Sequence, residues 1–329
     1  PDLANKQLIW NTLGIVMMLV MPKVFGAMPR LDKFKNLYIG FALALLVITL
    51  IFGFASFGSK NWIEIGPIGF QPSEIIKVFF ILYLASAFAK KPKLKELIVP
   101  TVLSGIVVLI LVGGQNDLGS ALIFYMTFLV LLFIATSNYL YLIVGLGFIS
   151  VASSIAYKLF SHIRVRVEAW QNPWLDVHNK GYQIAQSLFA ICTWGITGIG
   201  FTRGYATSIP VVERDFIFAA ICEEFGVIFA VGLILIFMFI LLEGARGAIE
   251  NNNRFLSLVC AGFTALIAFQ SFLLIGGVIK FIPLTGVTLP FVSYGGTSIV
   301  ISYIIIAFMQ WIIMHNVGYI EDKSAEDIH

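Results

Sequence analysis

The chain has 329 residues, 59% of them hydrophobic and only 12% charged, with a net charge of +3 and a mean hydropathy of +0.94. Soluble domains carry about 25% charged residues, so too little charge is present to coat a water-facing surface, and the small net charge gives no footing for nucleic acid. The composition reads as an all-α, polytopic transmembrane helical bundle, a single integral membrane domain over residues 1–329.

Apolar runs near the ~20 residues that crossing a bilayer requires predict nine helices, at 7–22, 37–56, 73–89, 97–113, 119–136, 139–158, 215–242, 255–276 and 294–314. The segment 159–214 is a long loop. Its apolar stretch 184–200, broken by Gly195, Gly198 and Gly200, is expected to be a helix lying at the membrane interface. Residues 315–329 form a polar tail.

Cations in short loops mark the cytoplasmic face. Lys23, Arg30, Lys33 and Lys35 follow the first run, Lys90, Lys91, Lys93 and Lys95 follow the third, and Arg246 and Arg254 follow the seventh. That face is cytoplasmic and holds the tail. The 57–72, 113–118, 159–214 and 277–293 segments then face outward, as does residue 1. An N-terminus outside without a leader leads to the expectation of one further span upstream.

Cys192, Cys222 and Cys260 have neither an even count nor CxxC spacing, and the four histidines are scattered. No disulfide framework and no metal site is legible.

Polar residues at the ends of spans are costly and are functional candidates by default. In Gln71-Pro72-Ser73-Glu74 with Lys77, Pro72 suits a helix start, and Glu74 and Lys77 are spaced to pair on one face. This is an ion pair or part of a site, with even weight. Asp117, opening Asn116-Asp117-Leu118-Gly119-Ser120, reads first as an N-cap. The long loop mixes Arg164, Arg166, Glu168, Trp170, Trp174, Asp176, His178, Lys180, Gln183 and Gln186, more than a connection needs. Asp215, after Glu213 and Arg214 at the membrane edge, is a cap or a reactive group. Along a continuous helix Glu223 would be rotated by about 80° from it, so both could line one cavity.

These motifs occur in a telling order. Ser59-Lys60-Asn61-Trp62 leads to Gln71-Pro72-Ser73-Glu74. Asn116-Asp117-Leu118-Gly119 and Glu213-Arg214-Asp215-Phe216-Ile217-Phe218 with Glu223-Glu224-Phe225-Gly226 come next. Pro283-Leu284-Thr285-Gly286-Val287-Thr288-Leu289-Pro290-Phe291-Val292-Ser293-Tyr294-Gly295-Gly296 closes the series. Together they resemble, over essentially the whole chain, the SEDS family of bacterial cell-wall proteins, which includes RodA, FtsW and SpoVE.

The resemblance implies a ten-span peptidoglycan glycosyltransferase of the bacterial cytoplasmic membrane. It would polymerise lipid II at the outer face for elongation, division or sporulation, alongside a class B penicillin-binding protein. It places the catalytic carboxylate at Asp215 and gives functional weight to Trp62, Glu74, Lys77, Asp117, Arg164 and Arg166. Gln183, Arg214 and Lys280 complete the candidate substrate-binding set. Asp215 would be the general base, with cations among Arg164, Arg166, Arg203, Arg214 and Lys280 on the diphosphate. A divalent cation such as Mg or Mn could assist there, although no motif demands one. Asn116 and Arg214 depart from the family pattern, which has proline and a small polar residue at these places. A lipid II flippase and a non-catalytic scaffold are the alternatives.

Overall fold

A computed structural model describes residues 2–27, 31–56, 59–66, 68–193 and 195–326; residue 1, Arg30 and the last three residues of the tail lie outside the described residues. The chain divides into two compact units, one of Pro1–Asn138, Ile240–Ile267 and Gly295–His329, the other of Tyr139–Phe239 and Ala268–Tyr294.

The first unit holds α1 (Asp2–Ala27), α2 (Lys35–Phe52), α3 (Pro72–Phe88), α4 (Leu94–Leu109), α5 (Leu118–Thr136), the helical residues 240–250 and 254–267, and α12 (Gly296–Glu326). Its core is the buried face of α3, with Ile76, Phe80, Ile81, Leu84 and Phe88 all nearly inaccessible. Phe80 packs on Phe124 of α5 at 5.0 Å between ring centres, and Phe263 packs on Phe308 of α12 at 5.5 Å. At Gly262 an added Cβ would lie 2.7 Å from Ile81 and 3.2 Å from Leu131, so that glycine sets a close helix crossing. In a bilayer, packing of this kind rather than water exclusion holds helices together.

One part of the expected loop is folded. Gly53 ends α2 with its N–H on the Thr49 carbonyl at 2.8 Å, and β1 (Phe54–Ser56), β2 (Ser59–Ile65) and β3 (Ile68–Phe70) follow as an antiparallel sheet. Residues 54–56, read from hydropathy as the end of a span, therefore form an edge strand. Apolar content alone does not separate a short strand from a helix end. After α4 a π-helical turn, Ile110–Gly114, leads to Asp117.

The second unit holds α6 (Tyr139–Leu159), α7 (Ser161–Gln171), α8 (Tyr182–Thr193), α9 (Val212–Asp215), the first part of α10 (Ile217–Glu250) and the last part of α11 (Arg254–Val278). Each of the nine expected apolar runs is helical over most of its length. Among the described residues eight helices are long and apolar enough to cross a membrane; the remaining one, α3, has 17 residues. Of the stretch 184–200, expected to be one helix, the part up to Thr193 lies in α8; residues 195–200 are not helical, and Gly195, Gly198 and Gly200 all adopt positive φ.

Candidate active site

Asp215 closes the short helix α9 and lies just outside the span that begins at Ile217. Its backbone N–H is held by the Val211 carbonyl at 3.2 Å, but its carboxylate takes part in none of the hydrogen bonds or ion pairs among the described residues. It is therefore not a helix cap. The carboxylate is half-buried. The protein packed around it raises its pKa from 3.8 to about 6, Arg166 and Arg214 pulling the other way and Glu213 adding to the rise.

The segment 283–294 frames this carboxylate. Gly286, at φ +72°, faces it so closely that a Cβ there would sit 3.6 Å from Asp215 Oδ2 and 3.8 Å from an Arg166 nitrogen. Arg166 Nη1 donates to the Thr285 carbonyl at 3.1 Å and reaches the Leu284 carbonyl at 3.4 Å. The backbone N–H of Tyr294 donates to the Glu213 carbonyl at 2.7 Å. Ser293 Oγ donates to the Arg214 carbonyl at 2.6 Å and accepts the Leu289 N–H at 2.8 Å. The conspicuous motif at 283–294 is thus a backbone bracket for residues 213–215. Arg214 lies over the Tyr294 ring at 5.7 Å, a cation–π contact that keeps this unusual arginine beside the site.

The other long-loop candidates divide. Trp170 Nε1 donates to the Lys280 carbonyl at 3.1 Å, and Lys280 is at φ +62°; its backbone ties α7 to this bracket. Gln183 Nε2 donates to the Pro210 carbonyl at 3.2 Å, steadying the turn before α9. Arg164 is exposed, donates to the Lys158 carbonyl at 2.9 Å and lies over Tyr157. The charged groups that act on Asp215 are Arg166, Arg214 and Glu213, and Arg164 is not among them.

In the first unit both acidic candidates have side-chain partners. Asp117 is the N-cap of α5. Its Oδ1 accepts the Ser120 N–H at 3.0 Å, and its Oδ2 accepts from Asn61 at 2.8 Å, Ser120 Oγ at 2.9 Å and Gln71 at 3.4 Å. Asn116 adopts φ +55°, a left-handed conformation that Asn tolerates and that Pro, locked near −65°, cannot take. The departure from the family's proline therefore matches the local backbone. Glu74 and Lys77 are buried and paired at 2.7 Å on α3. Trp62, on β2, is half-buried with its ring against Gly69.

The sequence profile of FtsW, RodA and SpoVE, described as "Cell cycle protein", matches residues 2–317. The chain belongs to this family. It is 29% identical over 325 residues to the peptidoglycan glycosyltransferase RodA of Mycobacterium tuberculosis, covering 93% of this chain and 69% of that protein. It is 33% identical over 305 residues to stage V sporulation protein E of Bacillus subtilis, with 90% and 82% covered. Among solved structures it resembles a chain described under the structural coordination of polymerization and crosslinking by a peptidoglycan synthase complex, with TM-score 0.79, 26% identity and 96% and 90% of the two chains covered. Thermus thermophilus RodA aligns with TM-score 0.68 and 25% identity over 95% of this chain and 88% of its own.

One expectation about this FtsW/RodA/SpoVE chain needs correction. Asp215 and Glu223 do not share a continuous helix, because Phe216 between them has φ −123° and ψ 17°. Glu223 is buried, accepts the Tyr205 N–H at 2.9 Å and lines a separate cavity of about 160 Å³ with Gln186, Thr193, Tyr205 and Ser208. Asp215 is not part of that lining. Helical spacing fails wherever the helix is interrupted, and Phe216 carries no composition signal of a break. Asn61 and Ser293 entered only as members of motifs: the long-range hydrogen bonds of Asn61 to Asp117 and of Ser293 to the Arg214 carbonyl are contacts that sequence spacing does not reveal.

Proposed function

We propose that the chain is a peptidoglycan glycosyltransferase that polymerises lipid II on the outer face of the bacterial cytoplasmic membrane, with Asp215 as general base. One observation carries this reading: a carboxylate at the edge of a span, with no hydrogen-bond or ion-pair partner among the described residues, its pKa pushed up by burial to about 6 and two arginines, Arg166 and Arg214, acting on it. A base is most effective when its pKa lies near the working pH, and an ion-paired carboxylate would be too weak.

In this reading Asp215 takes the proton from the acceptor sugar hydroxyl as that oxygen attacks the donor's anomeric carbon. The bond from that carbon to the lipid diphosphate breaks, and the diphosphate leaves with the bonding electron pair. Arg166 and Arg214 stand where positive charge offsets the charge developing on the leaving group. The lipid tail supplies proximity by holding the reacting sugar at the depth of the carboxylate. Outward orientation follows from the lysine-rich loop at 90–95 by the positive-inside rule. A class B penicillin-binding protein is the expected partner, in keeping with the likeness to a polymerizing and crosslinking complex.

Polymerisation by the purified protein in detergent, from lipid II alone, tests the reading. Asp215→Asn should abolish glycan strands while leaving insertion and melting behaviour intact. Strands made by that variant would remove Asp215 from the mechanism, and transport without polymerisation would favour a flippase.

A further inference from the structure

The span α10 is broken at Gly226, which takes φ +81° and ψ 177° inside an otherwise helical run. The break is filled by residues 195–200. Ile199 N–H donates to the Glu223 carbonyl at 2.9 Å and Gly200 N–H to the Glu224 carbonyl at 3.0 Å. In return Val227 N–H donates to the Gly195 carbonyl at 3.3 Å and Ile228 N–H to the Ile196 carbonyl at 3.4 Å. These four α10 groups are the ones that would pair with each other in an unbroken helix, Val227 with Glu223 and Ile228 with Glu224. Irregular backbone at membrane depth persists only where protein satisfies it, and here two helical hydrogen bonds are exchanged for four between segments.

The two segments interlock through glycines. A Cβ on Gly226 would run into the Ile196 carbonyl and lie 2.5 Å from Gly198 N; a Cβ on Gly198 would lie 2.5 Å from both the Glu224 carbonyl oxygen and Gly226 N. From this junction a run of short turns leads to the candidate base. Arg203 N–H bonds the Gly200 carbonyl, Tyr205 N–H bonds Glu223, Ser208 and Ile209 N–H bond the carbonyls of Tyr205 and Ala206, and Arg214 and Asp215 N–H bond that of Val211.

We propose that residues 195–200 are a releasable clasp on α10, with Gly198 and Gly226 as positioning residues that hold the Asp215-bearing segment in register. Release turns α10 into a continuous helix and frees 195–200. The catalytic consequence rests on the reading of Asp215 as base; the clasp itself does not.

Hydrogen exchange on the whole protein in nanodiscs separates the possibilities, using Gly226→Ala, Gly198→Ala and, as control, Gly232→Ala, where an added Cβ meets nothing. In Gly226→Ala the Ile199 and Gly200 amides should exchange at least ~10-fold faster while Val227 and Ile228 stay protected by re-forming the helix. The turnover of lipid II should fall on the order of 100-fold with KM little changed, and Gly232→Ala should match the parent in both. Equal loss of protection at all four amides means local unfolding and overturns the clasp, as does unchanged protection. Released amides with undiminished turnover overturn the positioning role. A parent protein that makes no polymer, while Gly226→Ala still shows the asymmetric exchange, would sink the proposed function and leave the clasp standing.

Discussion

Asp117 and Asp215 look alike as sequence: each follows a polar residue or two and precedes an apolar helix. In the structure they are opposites. Asp117 accepts four hydrogen bonds from Asn61, Gln71 and Ser120, whereas the Asp215 carboxylate accepts none among the described residues and is bracketed instead by backbone contacts to Glu213 and Arg214. A carboxylate surrounded by donors is held in place by them and stabilises its fold. One that is packed against but not bonded keeps its basicity, at a cost in stability that the surrounding bracket must offset. Glu74 falls with Asp117: it is buried, but its charge is matched by Lys77 at 2.7 Å.

The largest test of this contrast is Asp215→Asn, expected to lower polymerisation by about 10²- to 10⁴-fold, the usual weight of a general base. Its melting temperature should equal or exceed the parent's at pH 7.5. The sign follows from linkage. The folded pKa of about 6 lies above the ordinary 3.8, so the folded state holds the proton more tightly, and the stability this confers is full below pH 4 and lost as pH rises through about 6. Removing the charge removes that penalty.

Glu74→Gln should behave in the reverse sense. It leaves Lys77 buried without its counter-charge, costing about 3–5 kcal/mol, visible as a fall in thermal stability that accounts for any lost activity. Asp117→Asn keeps the cap acceptor but turns an amide donor toward the donors of Asn61, Gln71 and Ser120, costing about 1–3 kcal/mol. If either variant keeps its melting temperature yet loses turnover, the division between partnered and open carboxylates is wrong. Smallest of all is the pH response. Polymerisation at saturating lipid II should rise about tenfold per unit up to roughly pH 6 and then level, while the melting temperature of Asp215→Asn should lack the parent's decline over the same window.

Much of this was legible beforehand. The nine apolar runs are helices because their residues have no other way to satisfy a backbone in lipid, and Pro72 and Asp117 sit at helix starts as their chemistry suggests. Asp215 stood out through its neighbours Glu213 and Arg214 and through the motif order. The strand at 54–56, the break at Phe216, the end of α8 at Thr193 and the pairing of 195–200 with α10 did not show. Each depends on partners remote in the chain, and the glycines at 195, 198 and 200 announce an irregular backbone without saying what it meets.

By itself, then, the amino-acid order determined the solvent, the helical class, the number of apolar runs and a short roster of polar groups, because hydropathy and helix-start chemistry act over a few residues. Only the tertiary structure decided which acids are neutralised and which is left open, because that depends on donors such as Asn61 or their absence around Asp215. The placement of the open one likewise rests on hydrogen bonds from the Ser293 hydroxyl and the Tyr294 backbone to the carbonyls of Arg214 and Glu213, groups brought together only when the chain has folded.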